Sequence, residues 1–350
     1  MLRSKFVNKI SRFFNVGKAA QISGDINAGA SSPNKKTLQS STVGLFYPEK
    51  AVFMIRNPGS EHAHRLFEFA YPSDHLLPLM GDWENNGIMG CGLYDPKTSL
   101  FILRNQDDSG YPDITVYFGP AAAGWLPIVG DWDGDGRDSV GLYDPQSSQF
   151  FLNNTGEGGA PDVQFVFGSA NKGWLPIAGD WDGDGVDGVG LYDPVHGVFY
   201  LRNDLSSGEP DHVFRYGAVE QALLPLVGDW NADGCDGIGL YNTDTGLFDL
   251  RNSLTEGASD AQFTFGLRNL IGRPVALPWN EWEFKDIQSD KTLANRLRGD
   301  NSIPPDLDTI ASAPQIESEQ KAERSERLRL GLRTLRPAMK ADANETDVLQ

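Results

Sequence analysis

Cysteine is scarce in this chain: Cys91 and Cys235 are the two in 350 residues. A disulfide scaffold is thereby excluded, and the pair says little about compartment. No apolar run approaches the ~20 residues that a membrane-spanning helix needs. The basic N-terminus lacks the continuous apolar core and the cleavage site of a standard secretory signal. No Gly-x-Ser-x-Gly elbow, phosphate loop or His-Glu-x-x-His is present, so the familiar catalytic signatures are missing. Basic residues are few in the middle of the chain. Residues 41–284 hold 35 acids against 12 bases, a charge of −23 within a chain of −18. That stretch would repel nucleic acid and anionic membranes, and it suits cations or a cationic partner.

What the chain does have is a repeat. Gly-Asp-Trp recurs at Gly81-Asp82-Trp83, Gly130-Asp131-Trp132, Gly179-Asp180-Trp181 and Gly228-Asp229-Trp230, each 49 residues after the last. A fixed period of this size means one supersecondary unit copied and packed against itself. The unit from Trp125 contains Leu126–Trp132, Ser139–Tyr143, Gln149–Asn153 and Val163–Gly168. These are short runs rich in Val, Phe, Tyr and Leu, separated by Asp-Gly, Asp-Pro and Gly-Gly. They read as four β-strands joined by tight turns. Four strands per unit is the size of a β-propeller blade.

The ends complement each other. The pattern begins at Val43-Gly-Leu-Phe46, which matches the second strand of the unit, and continues with Val52–Arg56 and Leu66–Phe69. It stops at Pro274–Trp279, which matches a first strand. Joining the two fragments predicts a fifth blade and a closed all-β ring without exposed sheet edges. An open stack of four sheets is the alternative, although a solenoid would more commonly end in polar caps. The expected domains are a basic N-terminal segment and linker (1–40), the propeller (41–284) and a charged tail (285–350).

Acid-rich loops follow the tripeptide: Asp131, Asp133, Asp135 and Asp138; Asp180, Asp182, Asp184 and Asp187; Asp229, Asn231, Asp233 and Asp236. Carboxylates this close repel one another without a cation. Calcium takes six to eight hard oxygen ligands in flexible geometry, whereas magnesium demands a stricter octahedron and zinc prefers His or Cys. Gly136, Gly185 and Gly234 permit the sharp turn, and the carbonyls of Arg137, Val186 and Cys235 are available as further ligands. Asp-Gly sequences are also ordinary turn formers. The first copy has Met89 in place of the fourth acid, so a weak or empty site is expected there.

The Gly-Asp-Trp-Asp-Gly-Asp-Gly motif, with the closing Phe-x-Phe-Gly at Phe165–Gly168 and Phe263–Gly266, resembles FG-GAP/VCBS-type repeats over about residues 43–284. The resemblance implies a calcium-loop β-propeller of the kind found in integrin heads and in bacterial surface or secreted proteins. It thus implies an extracellular or cell-surface setting, which the missing signal sequence opposes. One departure is visible. The family places its last acid at the ninth position of the loop, whereas Asp138, Asp187 and Asp236 fall at the eighth and are less secure ligands.

The tryptophans at 83, 132, 181, 230 and 279 read as packing between blades, and Tyr94, Tyr143, Tyr192 and Tyr241 as packing along second strands. Trp125 and Trp174 are not universal in the repeat and are the better sugar-stacking candidates. The five histidines, His62, His64, His75, His196 and His212, occupy no repeated position, and the pair His62 and His64, which could share one strand face, reads as surface. Residues 2–14 can form a basic amphipathic helix suited to a membrane surface, a partner or an organellar presequence. Residues 316–335 can form a charged helix. The reading that results is a non-enzymatic, calcium-binding recognition or adhesion module for a protein or glycan partner. A lectin proper and a glycan-active hydrolase or lyase are the alternatives.

Overall fold

The computed structural model describes residues 39–58, 63–218, 222–267 and 270–279. The basic segment (but for its last two residues) and the charged tail lie outside these, as do His62 and the side chain of His64. The described chain is all-β and contains no helix.

Blade 1 comprises β1 (Ser41–Tyr47), β2 (Val52–Arg56) and β3 (Ala63–Glu68). Blade 2 comprises β4 (Leu77–Gly81), β5 (Gly90–Asp95), β6 (Leu100–Arg104) and β7 (Ile114–Tyr117). Blade 3 comprises β8 (Leu126–Gly130), β9 (Ser139–Asp144), β10 (Gln149–Leu152) and β11 (Val163–Val166). Blade 4 comprises β12 (Leu175–Gly179), β13 (Gly188–Asp193), β14 (Val198–Arg202) and β15 (His212–Arg215). Blade 5 comprises β16 (Leu223–Gly228), β17 (Gly237–Asn242), β18 (Leu247–Arg251) and β19 (Ala261–Thr264). The last strand, β20 (Arg273–Pro278), returns to blade 1 and pairs antiparallel with β1, giving the order β20-β1-β2-β3. The described residues form a five-bladed β-propeller of antiparallel four-stranded sheets, closed by the pairing of β20 with β1.

Closure is visible in two ways. Neighbouring first strands touch in a circuit, β4 to β8, β8 to β12, β12 to β16, β16 to β20 and β20 back to β4. The core is also divided into five apolar layers, one at each blade junction. Leu142 packs toward blade 2 while its neighbour Tyr143 packs toward blade 4. The second strands are therefore buried on both faces, which removes the alternation of a half-exposed strand. Each buried Leu, Ile or Phe side chain contributes about 1.5–3 kcal/mol. In blades 2 to 5 the second-strand tyrosine tilts against a third-strand phenylalanine, as Tyr143 does on Phe150 with centroids 4.7 Å apart.

The Gly-Asp-Trp tripeptide has a steric basis. A Cβ on Gly130 would lie 2.7 Å from the Trp132 ring and 2.7 Å from Asp187 Oδ2. The tryptophan folds back over its own strand, and a carboxylate of the next blade closes over the same glycine. Trp83, Trp132 and Trp181 are buried.

Candidate metal loops and their surroundings

The four loops joining first and second strands share one design. The first aspartate turns inward and gathers the backbone N–H groups of its own loop. Asp131 Oδ1 accepts from Gly134 N and Asp135 N at 2.8 and 3.1 Å, and its Oδ2 accepts from Gly136 N at 2.7 Å. Asp180 repeats this with Gly183, Asp184 and Gly185. Asp229 accepts from Asp233 and Gly234, and Asp82 from Asn86 and Gly87. The third acid caps the next step, as Asp135 Oδ1 does for Arg137 N at 2.8 Å. Gly136, at φ 86°, adopts the left-handed backbone the turn requires, as the sequence leads one to expect. The loop is thus shaped by its own side chains.

Two loops bring three carboxylates together. Asp131, Asp133 and Asp135, and separately Asp180, Asp182 and Asp184, each offer oxygens within 4.8 Å of one another and could hold a metal ion. Asp133, Asp135, Asp182 and Asp184 are exposed, while Asp131 and Asp180 are half-buried. Burial is the main cause that raises Asp131 and Asp180 above the ordinary carboxylate range, partly offset by their backbone N–H partners. An ionised carboxylate has about four lone-pair sites, so these hydrogen bonds leave capacity for a cation. The Asp229 loop keeps the turn but has two carboxylates, with Asn231 Nδ2 donating to Asp233 Oδ2 at 2.9 Å.

The fourth acids do something else. Asp187 Oδ2 accepts from Asp131 N of the preceding blade at 2.8 Å, and Asp187 N donates to Asp131 O at 2.8 Å. Asp138 makes the same two-pronged clip on Asp82, and Asp236 on Asp180. Asp138, Asp187 and Asp236, expected as fourth ligands, therefore stand outside the triplets as staples between blades. Burial, then the neighbouring Asp138 and Asp236 carboxylates, pushes Asp187 well above the usual range. Burial likewise raises Asp236 to about 7. In blade 1 the staple position is Ser41, whose N–H donates to Asp229 O at 2.6 Å.

Met89 fills a staple position, so it does not by itself report on metal at its own loop, which is not among the two loops that bring three carboxylates together. Its staple partner would be Pro278, which has no N–H to donate. Leu277 stands where the other blades have glycine, and Met89 packs against the apolar layer that contains Leu277. An apolar contact replaces the polar clip at this junction.

Trp125 and Trp174 lie in the connections that lead into β8 and β12, at the opposite end of the ring from the acidic loops. Both are half-buried. Each stacks on an aromatic of its own blade, Trp125 on Phe151 at 4.3 Å and Trp174 on Tyr200 at 4.6 Å. One ring face of each is therefore already used.

Two further repeated devices escaped the reading of the sequence. Asp113, Asp162, Asp211 and Asp260 accept the N–H of Asn105, Asn154, Asn203 and Asn252, closing the hairpin between third and fourth strands. The guanidinium groups of Arg104, Arg202 and Arg251 hold the carbonyls of Tyr111, Glu209 and Ala258 in those hairpins. The 49-residue spacing of the four aspartates was the available signal; the arginines skip blade 3, where Asn153 stands. At the junction of blades 1 and 2, Arg65 forms a buried ion pair with Asp107. Both cysteines are free thiols.

No family model and no curated protein matches the chain. Among solved structures it is similar to BBS1N in complex with ARL6DN, at 11% identity and TM-score 0.35, over 63% of this chain and 78% of that one. It is also similar to a lectin of Agrocybe aegerita that recognises non-reducing terminal N-acetylglucosamine, at 16% identity and TM-score 0.36, over 60% of this chain and 59% of the lectin. A third is apo AztD of Citrobacter koseri, at 7% identity and TM-score 0.37, over 68% and 98%. These likenesses carry no argument about activity. The propeller rests on its own sheet order.

Proposed function

We propose that this ring is a non-enzymatic, calcium-stabilised recognition module of the FG-GAP/VCBS type, acting in adhesion or binding outside the cytoplasm through a protein or glycan partner. The observation that carries the reading is the pair of aspartate triplets, each on a loop already shaped by its own backbone caps. All-oxygen donors suit a hard cation, and calcium tolerates the irregular geometry of a loop better than magnesium does. The ion would neutralise part of the −23 charge and order the turn between first and second strands. Ligand that binds only the folded state at 100 times its dissociation constant adds about 2.7 kcal/mol. Melting in calcium against a chelator should therefore differ by several degrees, and Asp133→Asn with Asp182→Asn should remove the difference. Chelator-insensitive melting with no calcium by elemental analysis would rule this out.

The lectin alternative is favoured by the half-exposed Trp125 and Trp174, which sit on adjacent connections at one end of the ring. On a glycan array, binding that Trp174→Ala abolishes would support it, and a blank array would remove it. A glycan-active enzyme needs an acid pair outside the loop, staple and hairpin positions.

A further inference from the structure

The loop between β4 and β5 contains Asn86-Gly87, the one Asn-Gly pair in the chain. Glycine after asparagine leaves the backbone nitrogen least shielded, so that nitrogen can reach the side-chain carbonyl and close a cyclic imide. Asn86 stands where the other loops carry Asp135, Asp184 and Asp233. The turn round it is the same. Asp82 Oδ1 accepts from Asn86 N at 3.0 Å and its Oδ2 from Gly87 N at 2.7 Å, as Asp131 accepts from Asp135 and Gly136. What differs is the leaving group, an amide nitrogen in place of a carboxylate oxygen.

The reacting atoms are held on every side. Asn86 Oδ1 accepts from Ile88 N at 2.8 Å, so the side chain folds back along the backbone of Gly87. That bond also fixes the orientation of the amide, whose Nδ2 donates to Glu84 Oε2 at 3.2 Å. Buried Asp82 is anchored in turn by Asp138, whose Oδ2 accepts from Asp82 N at 2.6 Å. Asn86 and Gly87 are exposed, and a Cβ on Gly87 would meet nothing within 4 Å. Water can enter and the departing group can leave.

Going beyond the metal-loop reading and independent of it, we infer that Asn86 is a self-modifying site, which the folded loop converts to aspartate or isoaspartate. Gly87 N bonds to Asn86 Cγ as its proton passes to Asp82 Oδ2 and the carbonyl electron pair moves onto Oδ1. There the Ile88 N–H meets the growing charge. Collapse breaks the Cγ–Nδ2 bond, and the nitrogen leaves as ammonia with the proton that Asp82 took up, relayed by solvent. Water then opens the imide. Cleavage at Cγ gives aspartate, cleavage at the main-chain carbonyl gives isoaspartate, and one water is consumed for each ammonia released. In the aspartate product the loop carries acids at the same three positions as the Asp131 and Asp180 loops.

The test follows the full chain in heavy-oxygen water at mildly alkaline pH by peptide mapping. Asn231 is the internal control. Its Oδ1 likewise accepts from the N–H two residues on, Asp233 N at 3.3 Å, but Ala232 follows it in place of glycine. The folded chain should gain heavy oxygen at residue 86, with isoaspartate among the products, and none at Asn231. Conversion should run at least about tenfold faster than in the same chain held in denaturant, since the fold supplies the orientation and the base. Gly87→Asn places there a residue that tolerates the left-handed backbone, φ 81°. It should melt like the parent and convert far more slowly. No heavy oxygen at residue 86, conversion no faster folded than denatured, or unchanged conversion in a correctly melting Gly87→Asn would each overturn the inference.

Discussion

Aspartate does several distinct jobs in one repeat, and each follows from what its carboxylate faces. Asp131 faces its own backbone, Asp133 and Asp135 face water and each other, Asp187 faces the next blade, and Asp162 closes a hairpin. In the sequence all of these are acids near glycine. The turn-forming role was legible because it is local, whereas the staple was not, because its partner lies 56 residues away. The staples carry a consequence for pH. Part of the Asp236 surface is reachable by solvent, yet protein packs closely round it, and its carboxyl is raised to about 7 from an ordinary 3.8. A group raised in the folded state binds its proton more tightly there than in the unfolded chain. Its contribution is therefore full below about pH 4 and is lost as pH rises through 7. With metal removed by chelator, the ring should melt lower at pH 8 than at pH 5.5. Asp236→Asn, which keeps an acceptor for Asp180 N, should flatten that slope, as thermal scans across pH would measure.

At the scale of elements, the first and second strands form a hairpin whose loop reaches sideways to the neighbouring blade. Three junctions use an aspartate for this, and the closing junction uses Ser41. The junction of blades 1 and 2 changes three positions together, Leu277, Pro278 and Met89. Restoring only the acid there should harm the protein. Met89→Asp would place a carboxylate in an apolar layer opposite a proline without an N–H, at a cost of about 1–3 kcal/mol for a buried unsatisfied group. Chemical denaturation should show a lower midpoint with an unchanged slope. Met89 was legible as a departure from the repeat, but its meaning was not, because the proline that explains it lies near the other end of the chain. The strands themselves were legible almost throughout, since short runs of Val, Phe, Tyr and Leu and the Asp-Gly or Asp-Pro turns between them act within a few positions of one another.

For the whole molecule, closure depends on β20 pairing with β1 in the register Ser41 with Pro278 to Phe46 with Arg273. Trp279 N then donates to Ser40 O, one step past that register. Truncation before Arg273 should leave β1 as an open edge and strip Val275 and Leu277 from the apolar layer between blades 1 and 2. Light scattering should detect association of the truncated chain, and its melting should lose cooperativity. The sequence by itself determined the period, the four strands of each unit, the number of blades and the complementary ends, because all of these are written in short-range patterning and in the count of copies. Only the tertiary structure decided which acids face their own loop and which hold blades together. The staples depend on how far one blade is rotated against the next, and that angle is set by side chains packed across a junction rather than by any neighbour in the chain.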